Sequence, residues 1–287
     1  MDQIKIFIEL TRLKKPIGYM LLFWPCAWGL TLGYNFDKSL NDYFFYLLLF
    51  LSGSILMRSA GCIVNDIFDK KFDKKVERTK NRPIALGKVS VNLAIAYSII
   101  LCLLAFIVLL NFNQLTIILA IFSMPLAFTY PLMKRFTYWP QLFLGITFNY
   151  GLILGWTAVN NDLFYLPFII YFGAIFWTLG YDTIYGYQDI ADDEIIGVKS
   201  TSIKFKKIPN LFVSLCYIIF IISLLIIGFL MDLNKIYFLL LILVIFHLIF
   251  YQVKKFNSIN TETCFKIFKS NNILGFVVYG SILLGKV

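Results

Sequence analysis

The sequence predicts an all-α, polytopic membrane protein with about nine transmembrane helices in a bundle. Three observations predict it. Hydrophobic residues make up 60% of the chain and charged residues 15%, with a mean hydropathy of +0.79, whereas soluble domains average about 25% charged residues. Apolar runs recur at lengths near the ~20 residues that cross a ~30 Å hydrocarbon core as helix. The remaining charge is concentrated: nine of the 16 acidic residues lie in two short windows.

The runs in order are 17–34, 43–63, 92–111, 115–132, 139–158, 163–181, 209–230, 235–253 and 271–286. Each even-numbered run is followed by basic residues. Four precede the first run, eight follow the second, two the fourth, four the sixth and four the eighth, which accounts for 22 of the 26 Lys and Arg. The opposite side holds Lys38, Lys235 and Lys286, and Arg58 lies inside the second run. The positive-inside rule therefore places the N-terminus and both acidic windows in the cytoplasm. The net charge of +10 is a topology signal and does not call for nucleic acid as a partner.

The longest polar interruptions, 64–91, 182–208 and 254–270, are too short for an added soluble domain, so residues 1–287 read as one membrane domain. Two of them follow the second and sixth runs, which points to two related halves offset by four helices. The five cysteines form no C-x-x-C pair and read as small core residues. His247, the only histidine, is flanked by hydrophobes and reads as a packed imidazole. The charged first sixteen residues resemble neither a cleavable signal nor an Arg- and Ser-rich transit leader. A bacterial inner membrane is the expected location, with no obligate protein partner.

The first window, "VNDIFDKKFDKKVERTKNRP", places Asp66, Asp69 and Asp73 at i, i+3 and i+7. On a helix prolonging the second run they share one face within about 60°. Asn65 joins Asp69 at i+4. In the second window, Asp182, Asp189 and Asp193 fall at i, i+7 and i+11, within about 40° on one continuous helix. Stacked carboxylates repel unless a cation neutralises them, and an all-oxygen set without His or Cys selects a hard ion, Mg²⁺ or Ca²⁺. Two such clusters facing one cavity would hold a diphosphate between bridging metals. The bland alternative is a solvated helix end balanced by Lys70, Lys71, Lys74, Lys75 and Arg78; two clusters on the same membrane side argue against it.

The neighbouring bases suit a phosphate ligand: Arg78 and Arg82 after the first cluster, Lys134 and Arg135 after the fourth run, and Lys199 after the second cluster. Each is also an ordinary positive-inside anchor. Arg58 is different, because a cation inside a span normally faces a cavity or a partner. Either it pairs with a carboxylate in the bundle or it meets an anionic group of a substrate.

These residues resemble the UbiA family of intramembrane prenyltransferases. The family's N-D-x-x-D-x-x-x-D stands here as Asn65, Asp66, Asp69 and Asp73, and its D-x-x-x-D as Asp189 and Asp193, preceded by Asp182 and followed by "GVKST" at 197–201. "YPLMKR", 130–135, matches the loop after the fourth helix. "TRLKKPIGYMLLFWPCAWGL", 11–30, looks like the N-terminal segment of the family's 4-hydroxybenzoate polyprenyltransferases. The resemblance covers essentially the whole chain.

It implies transfer of a polyprenyl group from its diphosphate to the ring carbon ortho to the hydroxyl of 4-hydroxybenzoate, in ubiquinone synthesis. Asn65, Asp69 and the flanking Asp66 and Asp73 would hold one Mg²⁺, and Asp189 with Asp193 a second. Arg78, Arg82, Lys134, Arg135 and Lys199 would take the diphosphate. Arg58, Tyr130 and Asp182 would stand by the aromatic substrate, with Asp182 and Arg135 also counted among the catalytic groups. The cavity would open to the cytoplasm, and the prenyl tail would need an apolar, lipid-open groove. Relatives with the same metal motifs use naphthoate, homogentisate or haem as acceptor. A cation-coupled transporter is the reading from another class, but transport favours acids near the bilayer midplane, and these cluster at helix ends.

Overall fold

The computed structural model describes residues 3–287, and among the described residues every regular element is helical. In order these are α1 (Gln3–Thr11), α2 (Ile17–Gly33), α3 (Leu40–Asp73), α4 (Val91–Leu109), α5 (Gln114–Thr129), α6 (Met133–Phe136), α7 (Pro140–Asn149), α8 (Gly151–Asn160), α9 (Tyr165–Gly186), α10 (Ile190–Ile196), α11 (Thr201–Lys204), α12 (Pro209–Leu230), α13 (Lys235–Phe246) and α14 (Thr261–Lys286). A 3₁₀ turn, Tyr130–Leu132, joins α5 to α6, and a π-helical stretch, His247–Val253, prolongs α13. Polar side chains start many of these helices: Ser39, Ser90, Asn113, Asn234 and Asn260 each accept a hydrogen bond from a backbone N–H of the first turn.

Among the described residues, seven helical segments are long and apolar enough to cross a membrane: Leu40–Asp73, Val91–Leu109, Gln114–Phe136, Pro140–Asn160, Pro209–Leu230, Lys235–Val253 and Thr261–Lys286. Two of the nine expected spans fall outside this group. Ile17–Gly33 is a shorter apolar helix, and α9 has the length but is diluted by tyrosines, glycines and Asp182. The ninth span begins ten residues earlier than the expected 271, because Asn260 caps a helix whose first turns carry the Glu262–Lys266 pair.

The short α2 is the hub. Leu21 and every residue from Phe23 to Leu32 are buried, as expected for a helix that is apolar all round. It packs on α3, α8 and α14. Glycine permits the closest approach: a Cβ on Gly29 would stand 2.0 Å from the Leu152 carbonyl oxygen, and one on Gly155 2.3 Å from that of Cys26. Close backbone contact through small residues is how helices associate where lipid removes the hydrophobic drive between them. By contrast, α4 buries only Ala94, Ser98, Leu101 and Ala105, one stripe against α3. Its other large residues, among them Leu103 and Ile107, are exposed, as suits a lipid-facing surface.

A buried polar knot ties α9, α12, the π-helical stretch and α14 together. Trp177 Nε1 donates to Asn271 Oδ1 at 2.8 Å, Gln252 Nε2 to the same oxygen at 2.9 Å, and the Tyr217 hydroxyl to Gln252 Oε1. His247 stacks on Tyr251, their centroids 5.2 Å apart. All five cysteines are free. A lipid-side groove of about 520 Å³ between α9 and α12 is lined by apolar residues such as Phe168, Phe172 and Ile222. It lies toward the start of α9, away from the acidic residues at that helix's other end.

Candidate active site

At 34 residues, α3 is about 51 Å long, well beyond the ~30 Å hydrocarbon thickness. Its surplus carries Asn65, Asp66, Asp69 and Asp73 out of the apolar layer on unbroken helix, so the predicted shared face exists. Asp66, Asp69 and Asp73 are 2%, 1% and 6% exposed, which demands counter-charges. Bases from three other segments supply them. Arg12 Nη2 lies 2.5 Å from Asp66 Oδ1. Arg82 Nη1 bridges Asp66 Oδ1 at 3.1 Å and Asp73 Oδ2 at 2.9 Å. Lys134 Nζ lies 2.5 Å from Asp69 Oδ2.

The second cluster departs from expectation. Asp182 belongs to α9, which ends at Gly186; Asp189 stands at the cap position before α10, and Asp193 lies within α10. The single stripe through 182, 189 and 193 is therefore broken. Packing is the reason: a Cβ on Gly186 would meet the Ser202 hydroxyl at 2.4 Å, because the turn holding α11 folds back on the end of α9. Ser202 Oγ donates to the Thr183 carbonyl at 2.7 Å, and the Thr183 and Thr201 hydroxyls are 2.6 Å apart. Asp182 is left one level deeper, while Asp189 and Asp193 stay at the mouth.

The two windows nevertheless meet. Arg78 grips Asp189 through Nε, 2.8 Å from Oδ1, and through Nη2 on Oδ2, a fork spanning 111 residues of sequence. Arg78 Nη1 also donates to the Tyr185 hydroxyl at 3.2 Å. The Glu77 backbone N–H donates to Asp192 Oδ2 at 3.0 Å. The half-buried Asp193 carboxyl is pushed up to about 6, first by burial and then by Asp189, with Lys134 and Arg78 opposing. Lys15, exposed at the rim, is held below the ordinary lysine range by partial burial and by the charges of Arg12, Arg78 and Arg82.

Arg135 folds against α3, donating from Nη2 to the Phe68 carbonyl at 2.7 Å with its guanidinium 5.2 Å from the Phe72 ring centroid. Its Nη2 lies 4.0 Å from Asp69 Oδ1. Lys199 is the base that does not reach the acids. Its Nζ bonds the Phe136 carbonyl at 3.3 Å and lies 5.7 Å from the Tyr138 ring centroid, while its backbone N–H joins the Lys134 carbonyl at 2.9 Å.

Deeper in the bundle, Arg58 lies against Gly18 of α2 and its guanidinium stands 5.4 Å from the Phe148 ring centroid. Its Nε is buried without a hydrogen-bond partner. Tyr130 meets the same Phe148 ring edge-on at 6.4 Å, and both Tyr130 and Asp182 are within electrostatic reach of Arg58. None of the three side chains is sealed off, since Arg58, Tyr130 and Asp182 all retain partial exposure. They stand together around Phe148, below the acidic mouth.

A hard cation fits this donor set. Asp69 Oδ1 is buried with no hydrogen-bond partner, and the surrounding acceptors are all oxygen. Among the described residues no three acidic, His or Cys side chains converge on one metal position. The sequence reading missed Arg12, Tyr185 and Phe148. Arg12 sits in the quoted "TRLKKPIG" segment at φ +55°, but nothing local indicates that its side chain crosses to α3.

Comparison with known proteins identifies the family. A profile described as the UbiA prenyltransferase family matches residues 22–275. The chain is 41% identical to a protein of Caenorhabditis elegans named mitochondrial 4-hydroxybenzoate polyprenyltransferase, covering 98% of this chain and 78% of that one. It is 40% identical to the 4-hydroxybenzoate octaprenyltransferase of Psychromonas ingrahamii over 97% of this chain and 96% of the relative. Its fold is similar to that of a UbiA homologue from Archaeoglobus fulgidus solved with GPP and Mg²⁺, at a TM-score of 0.70 and 19% identity, covering 96% and 99% of the two chains. With a profile match over most of its length and a bacterial relative aligned nearly end to end, the chain belongs to the UbiA prenyltransferase family.

Proposed function

We propose that this protein transfers a polyprenyl group from polyprenyl diphosphate to the carbon ortho to the hydroxyl of 4-hydroxybenzoate, with Mg²⁺, releasing diphosphate. The observation that carries the proposal is the meeting of two distant acidic motifs at one base-lined mouth, with Arg58 below it, its buried Nε without a hydrogen-bond partner. The names of relatives near 40% identity support the acceptor.

Asn65, Asp69 and Asp73 on one side, with Asp189 and Asp193 on the other, are assigned to two Mg²⁺ ions, with Asp66 holding the bases in place. Bound there, Mg²⁺ supplies Lewis-acid stabilisation of the charge on the departing diphosphate. Arg78, Arg82 and Lys134 bind its oxygens, Arg by its fork and Lys as a point charge. Arg135 and Lys199 act from the periphery, Arg135 by fixing the end of α3 and Lys199 by holding the 197–201 loop to the 130–135 loop. Breaking the C–O bond leaves an allylic carbocation; the ring carbon attacks it, and loss of the ring proton restores aromaticity.

Arg58 is assigned to the acceptor's carboxylate, to which its buried Nε can donate. Phe148 forms a flat wall, and Tyr130 with Asp182 faces the phenolic side. The reaction side is assigned to the lysine-rich, cytoplasmic face of a bacterial inner membrane, within a single membrane domain.

The test is an assay of purified protein in lipid nanodiscs with a polyprenyl diphosphate, 4-hydroxybenzoate and Mg²⁺. The expected result is a prenylated hydroxybenzoate with equimolar diphosphate, and none after chelation by EDTA. Product with naphthoate or homogentisate but none with 4-hydroxybenzoate overturns the acceptor.

A further inference from the structure

Four of the mouth carboxylates are already paired with the protein's own bases. Asp66 is paired with Arg12 and Arg82, Asp73 with Arg82, Asp69 with Lys134, and Asp189 with Arg78. The same Arg78, Arg82 and Lys134 are the groups available to a diphosphate. A carboxylate oxygen held in a guanidinium fork is not free to take a cation, and a guanidinium bound to a carboxylate is not free to take a phosphate. Among the described residues, the buried Asp69 Oδ1 accepts no hydrogen bond, with Arg135 Nη2 4.0 Å away, and Asp193 is held in no ion pair.

We infer that the bases are exchangeable counter-ions: they occupy the carboxylates when metal is absent and pass to the diphosphate when metal enters. Resting on the reading that these carboxylates hold metal, the inference adds a regulation of that site. Metal alone must displace the protein's own cations, and diphosphate alone must strip bases from buried carboxylates. Arriving together, each ligand relieves the cost of the other. Their binding is therefore mutually reinforcing within the protein, beyond the attraction of Mg²⁺ for diphosphate in solution. Such coupling has the size of other linked sites, about 5- to 150-fold. A protein built this way also avoids leaving a bare cluster of carboxylates between turnovers, and ignores free Mg²⁺ until substrate arrives.

Arg78 is the side chain on which to test it. It is 39% exposed, so its loss opens no core, and its fork joins the two windows. The experiment measures Mn²⁺ binding by electron paramagnetic resonance, and inorganic pyrophosphate binding at saturating Mg²⁺ by calorimetry, for the full chain in nanodiscs. Arg78→Gln should bind Mn²⁺ alone about tenfold more tightly than the parent and bind pyrophosphate about tenfold more weakly, a change of opposite sign in one variant. Arg78→Lys should fall between the two, keeping the charge without the fork. Lys15→Gln controls for the general field, since Lys15 stands near Arg78 and Arg82 and holds no carboxylate; its Mn²⁺ affinity should change less than twofold. Equal or weaker Mn²⁺ binding by Arg78→Gln, or an equal gain in Lys15→Gln, overturns the exchange while leaving the metal site standing. Absence of Mn²⁺ binding from parent and variant alike overturns the metal reading itself.

Discussion

Asp69 is the most constrained of the acids at 1% exposure, with Lys134 on one oxygen and nothing bonded to the other. Truncating it leaves Lys134 without its partner and removes the oxygen best placed for metal. Asp69→Ala and Asp189→Ala should each lower Mg²⁺-dependent diphosphate release by at least about 10²–10³, the scale on which a lost transition-state stabiliser is felt; enzymatic diphosphate detection reads it. Arg58 separates binding from chemistry. If it meets the acceptor carboxylate, Arg58→Gln should raise the acceptor KM by about 10- to 100-fold, as a charged hydrogen bond of about 1.5–3 kcal/mol requires, with the KM for polyprenyl diphosphate little changed. Steady-state kinetics with each substrate varied in turn decides it. At this scale the sequence was informative about carboxylates, because their spacing on α3 is a local property. It was silent about Arg12, whose partner Asp66 is 54 residues away, and about the direction of Lys199, whose Nζ turns to the Phe136 carbonyl.

The elements show where spacing stops being informative. A stripe at i, i+3 and i+7 survives on α3 because nothing interrupts that helix before Asp73. The matching stripe on 182–193 fails because Gly186 lies against Ser202 and the chain restarts at Asp189. Two contacts between elements are open to test by thermal unfolding in detergent. Gly29→Ala puts a methyl 2.0 Å from the Leu152 carbonyl oxygen; backbone cannot yield as a side chain does, so the cost should reach or exceed the usual overpacking range of about 1–3 kcal/mol and lower Tm. Asn271→Leu removes the shared acceptor of Trp177 and Gln252, leaving the buried Trp177 indole N–H unpaired at about 1–3 kcal/mol, and should also lower Tm. Both glycine and asparagine look unremarkable in sequence, because what they touch lies on other helices.

At the scale of the whole molecule, the strongest prediction concerns orientation. Single cysteines replacing Lys80, beside the acidic mouth, and Asp37, in the segment between α2 and α3, should lie on opposite sides of the membrane. Applied to intact cells, a membrane-impermeant maleimide should label the cysteine at position 37 and spare the one at position 80 until the membrane is opened. Native cysteines interfere little, four of the five being buried. The reverse pattern would overturn the cytoplasmic assignment of the site.

By itself, the sequence determined the membrane class, the succession of apolar helices, the basic side and the two acidic windows, since each follows from composition, run length or spacing along a single segment. The tertiary structure decided the rest: the hub position of α2, the break after Gly186, the placing of Asp182 beside Arg58, and the pairing of Asp66, Asp69, Asp73 and Asp189 with bases from other segments. Those features depend on which helices come within a few ångströms of one another, and a helix carries no local record of its neighbour.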